Sequence, residues 1–343
     1  MDTVIKPKAQ GKSEKSKVGL DIGTHSVKII EISENANKPV LLGIGLKKIA
    51  GYSEEKVSDL IKAVAEEAGV SAKEVNISVS GHPVIIRFIS MPKMKEEDLR
   101  NAIKFEAEKF IPFEIKDCML AYQVLAKNEK ENKSSVLLVA AKKEYVQQKI
   151  NLVERAGFSV SVVDVDSLAM TNSFLKNFPN IEPDKTVALL NISATFTNLS
   201  ILRGGMIYFA RDAAIGGNDF NDAISKGLGL SLDLAEELKL SPKERASEVK
   251  SCIKAALVNL MDDIKLSFSY YENQSGRSID DIYISGASSS ISGIDEICQE
   301  NIGSKPLPWN PLQFIDTSSP NVESSLVNTM SNSFSVASGL VLR

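Results

Sequence analysis

Two segments far apart in this chain repeat one pattern: an apolar strand, a turn of short side chains opened by Asp or Asn, and a return strand. The first is Val18-Gly-Leu-Asp21-Ile-Gly23-Thr24-His-Ser-Val-Lys28-Ile-Ile-Glu-Ile32; the second is Val187-Ala-Leu-Leu-Asn191-Ile-Ser193-Ala-Thr195-Phe-Thr197-Asn-Leu-Ser-Ile201. A tight turn between paired strands aims several backbone N–H groups at one spot and so forms an anion nest. Two nests that face each other can clamp both sides of a polyphosphate. An internal repeat constrains the fold more than any other signal, because it implies two copies of one architecture.

The 343 residues are enough for about two domains, and a hydrophobic content of 43% allows substantial cores. The 40 basic and 44 acidic residues nearly balance, which gives no electrostatic case for a nucleic-acid partner. Cys118, Cys252 and Cys298 are widely spaced and show no metal-ligand spacing. They suit a reducing compartment, and no apolar run is long enough to cross a bilayer, so the expected location is the cytoplasm. The lysine-bearing segment 1–16 lacks the apolar centre of a secretion signal and reads as a disordered basic tail.

Along the chain, hairpin turns near Gly23 and at 35–39 divide three successive strands, followed by a helix from Ser53 to Ala68. The pattern then changes, and residues 81–134 read as an inserted subdomain. The flanking segments, 17–80 and 135–180, make one α/β unit. A polar stretch with Pro179 and Pro183 reads as a hinge. A second α/β unit spans 186–343, with a mainly helical part over 231–275 and an amphipathic helix over 322–342 at its end.

Several residues then stand out as chemistry. Asp21 ends an apolar strand, where it is either a turn residue or a carboxylate that orients hydrated magnesium. Gly23 and Thr24 permit close approach of a phosphate, and Lys28 can reach it as a point charge. Asn191 echoes Asp21 without the charge. Thr195 and Thr197 can donate hydroxyls, although Thr197 equally fits an ordinary strand face. Asp166 either caps the following helix or positions an attacking water, which would make it the catalytic candidate. Gly216 and Gly217 precede a helix and offer free N–H groups, and Gly286 with Ser288 forms a second strand-to-helix bend. With only His25 and His82, a Ser-His hydrolase or a zinc protease has little to work with.

Taken in order, these segments resemble the actin-like ATPase superfamily, which includes actin, sugar kinases and FtsA. Asp21 to Lys28 looks like its first phosphate motif, Val163 to Ala169 its first connecting segment, Asn191 to Thr197 its second phosphate motif, and Ile284 to Ser290 its adenosine motif. A closer resemblance is to the PilM family, the FtsA-like proteins of type IV pilus assembly. It rests on Met91-Pro-Lys-Met94, on Ala102-Ile-Lys-Phe-Glu-Ala-Glu-Lys-Phe-Ile-Pro-Phe113, on Tyr122-Gln-Val124, and on Val336-Ala-Ser-Gly-Leu-Val-Leu-Arg343. The resemblance implies duplicated actin-like (ribonuclease H-like) domains flanking a nucleotide cleft, with a small α+β subdomain inserted in the first half.

It further implies ATP and Mg2+ as ligands, with Asp21 holding the metal through water. Glu236 and Lys239 match an acidic-x-x-basic pair that touches ribose or base, while Gly216, Gly217, Gly286 and Ser288 line the nucleoside. The implied partner is the N-terminal cytoplasmic peptide of a PilN-like inner-membrane protein. That peptide would recruit the chain to the cytoplasmic membrane face, in a groove near Ile103, Phe110 and Phe113, of which at least two are expected to belong to the insert's own core. Self-association is compatible with the resemblance. Asn191 and Ala287 depart from the superfamily pattern, which puts hydrolysis in doubt more than binding. The competing readings are an FtsA-like membrane-tethered filament protein and a small-molecule kinase of the same superfamily.

Overall fold

The computed structural model describes residues 16–33, 38–128, 132–319, 322 and 324–343. Of the tail expected over 1–16, residues 1–15 lie outside the described residues and Ser16 already belongs to the first strand; of the turn expected over 35–39, residues 35–37 lie outside them.

The chain opens with an antiparallel meander of β1 (Ser16–Ile22), β2 (Ser26–Ser33) and β3 (Val40–Lys48). Helix α1 (Glu54–Glu67) follows, capped by the Ser53 hydroxyl, which accepts from the Lys56 N–H. Its helically spaced Val57, Ile61 and Val64 bury against the sheet. The chain then enters β4 (Glu74–Val79), which runs parallel to β1.

An inserted unit comprises β5 (Val84–Pro92), α2 (Glu96–Glu108), β6 (Cys118–Asn128) and β7 (Lys133–Lys142). Strand β7 hydrogen-bonds to β5 on one edge and to β6 on the other. The insert therefore runs through Lys142, not 134 as expected, because an apolar run such as Val136 to Ala141 does not reveal which sheet it joins. Helix α3 (Lys143–Arg155), strand β8 (Ser159–Val165) and helix α4 (Asp166–Asn177) return to the first unit. Its sheet order is β3-β2-β1-β4-β8.

The second half repeats this plan with β9 (Thr186–Ile192), β10 (Thr197–Arg203) and β11 (Met206–Ala213) as its meander. Helices α5 (Gly217–Leu228), α6 (Leu232–Leu240) and α7 (Ala246–Ser275) follow. Then come β12 (Asp281–Ser285), α8 (Ile294–Ile302) and β13 (Leu307–Pro308). The order β11-β10-β9-β12-β13 matches the first sheet position for position. Helix α7 covers it, burying Val249, Ile253, Leu257, Leu260 and Ile264.

The end of the chain differs from expectation. In place of one helix there are α9 (Ser324–Met330), a 3-10 turn over Ser331–Phe334 and α10 (Ser335–Leu340). The break coincides with long-range bonds: the Asn332 carbonyl accepts from the Gly286 N–H at 2.8 Å, and the Asn332 amide donates to Ser289 Oγ at 2.9 Å. Helix α10 packs on α4 and on β1, and α4 in turn touches β10. The two helices thus cross between the sheets. Ser335, Ala337, Ser338 and Gly339 are buried at the crossing, and the Ser173 and Ser338 hydroxyls share a hydrogen bond of 2.7 Å.

Candidate functional site

The two turns face each other across one cleft, whose lining includes Asp21, Gly23, Thr24, Lys28, Asp166, Asn191, Ser193, Thr195, Glu236, Lys239, Gly286 and Ser288. Thr24 Oγ1 and Thr195 Oγ1 stand 2.6 Å apart. One backbone bond closes each turn, Gly23 N–H to Ser26 O at 3.1 Å and Ser193 N–H to Phe196 O at 3.0 Å. Among the described residues, the N–H groups of Thr24, His25, Ala194 and Thr195 donate to no backbone carbonyl. Each turn therefore keeps two free donors where an anion could accept them.

The repeat extends to the register. Asp21 pairs with Lys28 across the first hairpin, and Asn191 pairs with Asn198 at the same place in the second. Lys28 Nζ binds Asp21 Oδ2 at 2.9 Å, with both residues buried. In the second hairpin an amide pair replaces the ion pair: Asn191 Nδ2 donates to Asn198 Oδ1 at 2.8 Å, and Ser335 Oγ donates to Asn191 Oδ1 at 3.0 Å.

Three sequence expectations need correction. The N–H groups ahead of α5 are not free: Gly216 donates to Asp219 Oδ2, Gly217 to Ser193 O and Asn218 to Ala194 O, each at 2.8 Å. This loop braces the second turn and offers its donors to no ligand. Thr197 is fully buried, and its hydroxyl donates to Ile215 O at 2.8 Å, so it faces away from the cleft. Asp166 is not a cap; Val165 holds that position, and the Asp166 carboxylate accepts from Ser78 Oγ at 2.6 Å in the cleft wall. Asp164, two residues earlier on β8, accepts from the Val165 N–H and from Arg343.

Burial, reinforced by the nearby Asp21 charge, pushes the Asp166 carboxyl up to about 6. Its bond from Ser78 pulls the other way and loses. On the second lobe's side of the cleft, Lys239 Nζ binds Glu236 Oε2 at 2.7 Å and Gly217 O at 3.2 Å. Asn221 completes the group by donating to Glu236. Burial lowers the Lys239 pKa, and burial alone would raise that of Glu236, but the Lys239 bond and charge hold Glu236 below its ordinary value. Gly286, at φ +98, turns the chain against the Ile192 backbone, which leaves no room for a side chain.

Sequence reasoning missed Lys149, Tyr145, Ser80 and Phe196, all in the lining. Lys149 had a legible signal: it stands three residues after buried Val146 and four before buried Val153, on the apolar stripe of α3. Its Nζ donates to Ile22 O at 2.7 Å. Burial pushes the Tyr145 hydroxyl up to about 12, with the Asp166 and Asp212 charges adding to the effect.

The donor set suits a polyphosphate. Four free N–H groups and the spare donors of Lys149 match phosphate oxygens. Among the described residues no group of three or more His, Cys, Asp or Glu could hold a metal by itself.

Two sheets of the same strand order around one cleft, each with a turn of free amides, define the class: an actin-like, ribonuclease H-like fold with an α+β insert. The ethanolamine utilization protein EutJ from Carboxydothermus hydrogenoformans shares the fold, at a TM-score of 0.58 and 11% identity over 99% of this chain and 92% of that one. The family model for type IV pilus assembly protein PilM matches residues 19–343, and the chain belongs to that family. A solved PilM–PilN type IV pilus biogenesis complex matches at a TM-score of 0.86 and 27% identity, over 96% of this chain and 99% of that one. Cell division protein FtsA of Streptococcus pneumoniae is 26% identical over 261 residues, which is 65% of this chain and 55% of that protein. FtsA of Enterococcus hirae is 22% identical over 339 residues, or 83% and 76%.

Proposed function

We propose that the chain is an ATP-binding component of type IV pilus or related secretion assembly. It grips the N-terminal cytoplasmic peptide of a PilN-like inner-membrane protein and is thereby recruited to the cytoplasmic membrane face. The observation that carries the nucleotide half is the pair of facing turns in one cleft. Family membership and the likeness to a PilM–PilN complex support the partner. Residues Thr24, His25, Ala194 and Thr195 would hold phosphates by their amides, Asp21 the hydrated magnesium, and Glu236, Lys239, Gly286 and Ser288 the nucleoside. The magnesium would supply charge neutralisation between phosphate oxygens. In this reading residues 16–80 and 143–180 form one lobe, 81–142 the peptide-holding insert and 186–343 the other lobe.

A contact connects cleft to insert. Phe196, in the second turn, packs edge-on against His82 at 5.5 Å between ring centroids. Gly81, at φ +81, has no side chain because a Cβ there would come within 2.8 Å of the Phe196 ring. The Gly81 N–H also donates to Asp212 Oδ2 at 2.6 Å. A change in the second turn on binding phosphate must therefore displace the start of the insert. Within the insert, Ile103 is core, Phe113 is partly buried beneath Lys142, and Phe110 with Phe105 is exposed. Phe110 and Phe105, rather than Ile103, are the side chains of α2 and its end that a peptide could touch.

Nucleotide then controls the partner by preferring one arrangement of the lobes. Anisotropy of a labelled PilN-like N-terminal peptide should show binding about 5- to 100-fold tighter with Mg·ATP than without. Phe196→Ala should reduce that ratio toward one. Equal peptide affinity in both conditions for the unaltered chain would exclude nucleotide control. Helix α10, with Val336, Ala337 and Leu340 buried, is packed too deeply to be an FtsA-like membrane anchor.

A further inference from the structure

Of the two lysines that line the cleft, Lys28 and Lys149, only Lys28 is in a contact ion pair among the described residues, while Lys149 feels the charges of Asp166 and Asp21 without touching either. Lys28 is neutralised by Asp21 at 2.9 Å. Lys149, half-buried on α3, has one hydrogen bond, to Ile22 O at 2.7 Å, and no carboxylate partner among the described residues. An ammonium carries three donors, so two remain. The Tyr145 ring lies 5.8 Å away and satisfies neither as a hydrogen bond would. A partly desolvated cation with spare donors is costly unless an anion completes it. The placement says which anion. Lys149 lies on the first lobe near Asp166 and Asp21, while Glu236, Lys239 and Ser288 belong to the second. A nucleotide with its nucleoside against Glu236, Lys239 and Ser288 would run its phosphates toward the first turn, with the terminal phosphate the one extended toward Lys149.

We infer that Lys149 is the residue that distinguishes nucleoside triphosphate from diphosphate, binding the terminal phosphate with the ammonium donors it does not spend on Ile22. This deepens the nucleotide reading proposed above and rests on it. Lys28, the cation the sequence points to, serves instead to hold Asp21. Because Ile22 adjoins the first turn, Lys149 also ties occupancy of the last phosphate position to the placement of that turn.

Calorimetric titration of the full chain with Mg2+ and either ADP or the β,γ-imido analogue of ATP tests this. Lys149→Met should weaken the triphosphate analogue about 10- to 100-fold, the range for losing charge-assisted bonds, and change ADP by less than about 3-fold. Lys149→Gln, which retains a donor for Ile22 O, should lose the same discrimination, while Lys149→Arg should keep most of it. Circular dichroism and ligand-free melting establish that each variant is folded. If both nucleotides weaken equally in the folded variants, or neither does, the inference is overturned and the nucleotide reading stands. If the unaltered chain binds neither nucleotide, both fall together.

Discussion

Gly339→Ala is expected to cost the fold about 3 kcal/mol or more, at the upper end of overpacking effects. Two physical tendencies oppose each other here. In a helix interior Ala is preferred over Gly by about 1 kcal/mol, so propensity alone predicts a more stable protein. Packing predicts the reverse. A Cβ on Gly339 would land on the Ala169 carbonyl of α4, well inside any real contact distance. The obstacle is backbone, which cannot rotate away as a flexible side chain can. The crossing of α4 and α10 would have to widen, and with it the spacing of both sheets. Gly19 meets the same helix from the other side, where a Cβ would strike the Ala337 carbonyl. Urea unfolding should show a lower midpoint at an unchanged slope. A midpoint equal to or above that of the unaltered chain would show that the crossing is looser than described.

Asp166→Asn is expected to stabilise the ligand-free protein at neutral pH, by on the order of 1 to 3 kcal/mol. The Asp166 carboxyl titrates near 6 in the folded chain, against an ordinary value of 3.8. Folded protein thus holds the proton more tightly than unfolded protein does. The ionisation penalty is absent below the ordinary value, grows as pH rises from there to about 6, and is constant above that. Asn removes the charge and can still accept from Ser78. The variant should match the unaltered chain at pH about 4 and exceed it at pH about 7.5 by the stated amount. A difference in unfolding free energy that does not change with pH would mean that Asp166 is not strained by burial. A carboxylate kept at such a cost, in a cleft wall beside Asp21, is characteristic of a functional position.

Much of this architecture could be read from residue order, and the failures have physical causes. The duplication was visible because each meander joins strands that are neighbours in sequence, so turn chemistry and apolar alternation report it directly. The position of β7 was not visible. Its Val136 to Ala141 run is buried in the insert's sheet, and the same run would serve equally well in the first. The end of the chain was misread because its apolar positions keep helical spacing through Phe334, while the break at Ser331–Phe334 coincides with bonds to Gly286 and Ser289, distant in sequence.

The cleft divides in the same way. Asp21, Thr24, Asn191 and Thr195 sit in the turns themselves, so a local motif finds them. Gly216 and Gly217 carry the right sequence but have spent their donors on Ser193, Ala194 and Asp219, which only three-dimensional pairing reveals. Thr197 is one strand position past the turn, and its direction is fixed by Ile215. Lys149 enters from a helix after the insert, far from either motif, and its only trace is a charge on an apolar stripe.

The central claim is that both turns hold one polyphosphate, and backbone amides report it most directly. In a nitrogen-15 correlation spectrum of the full chain, Mg·ATP titration should move the amide signals of Thr24, His25, Ala194 and Thr195 together, on one binding curve. Movement of one turn alone, or none in either while the nucleotide binds elsewhere, would contradict the account.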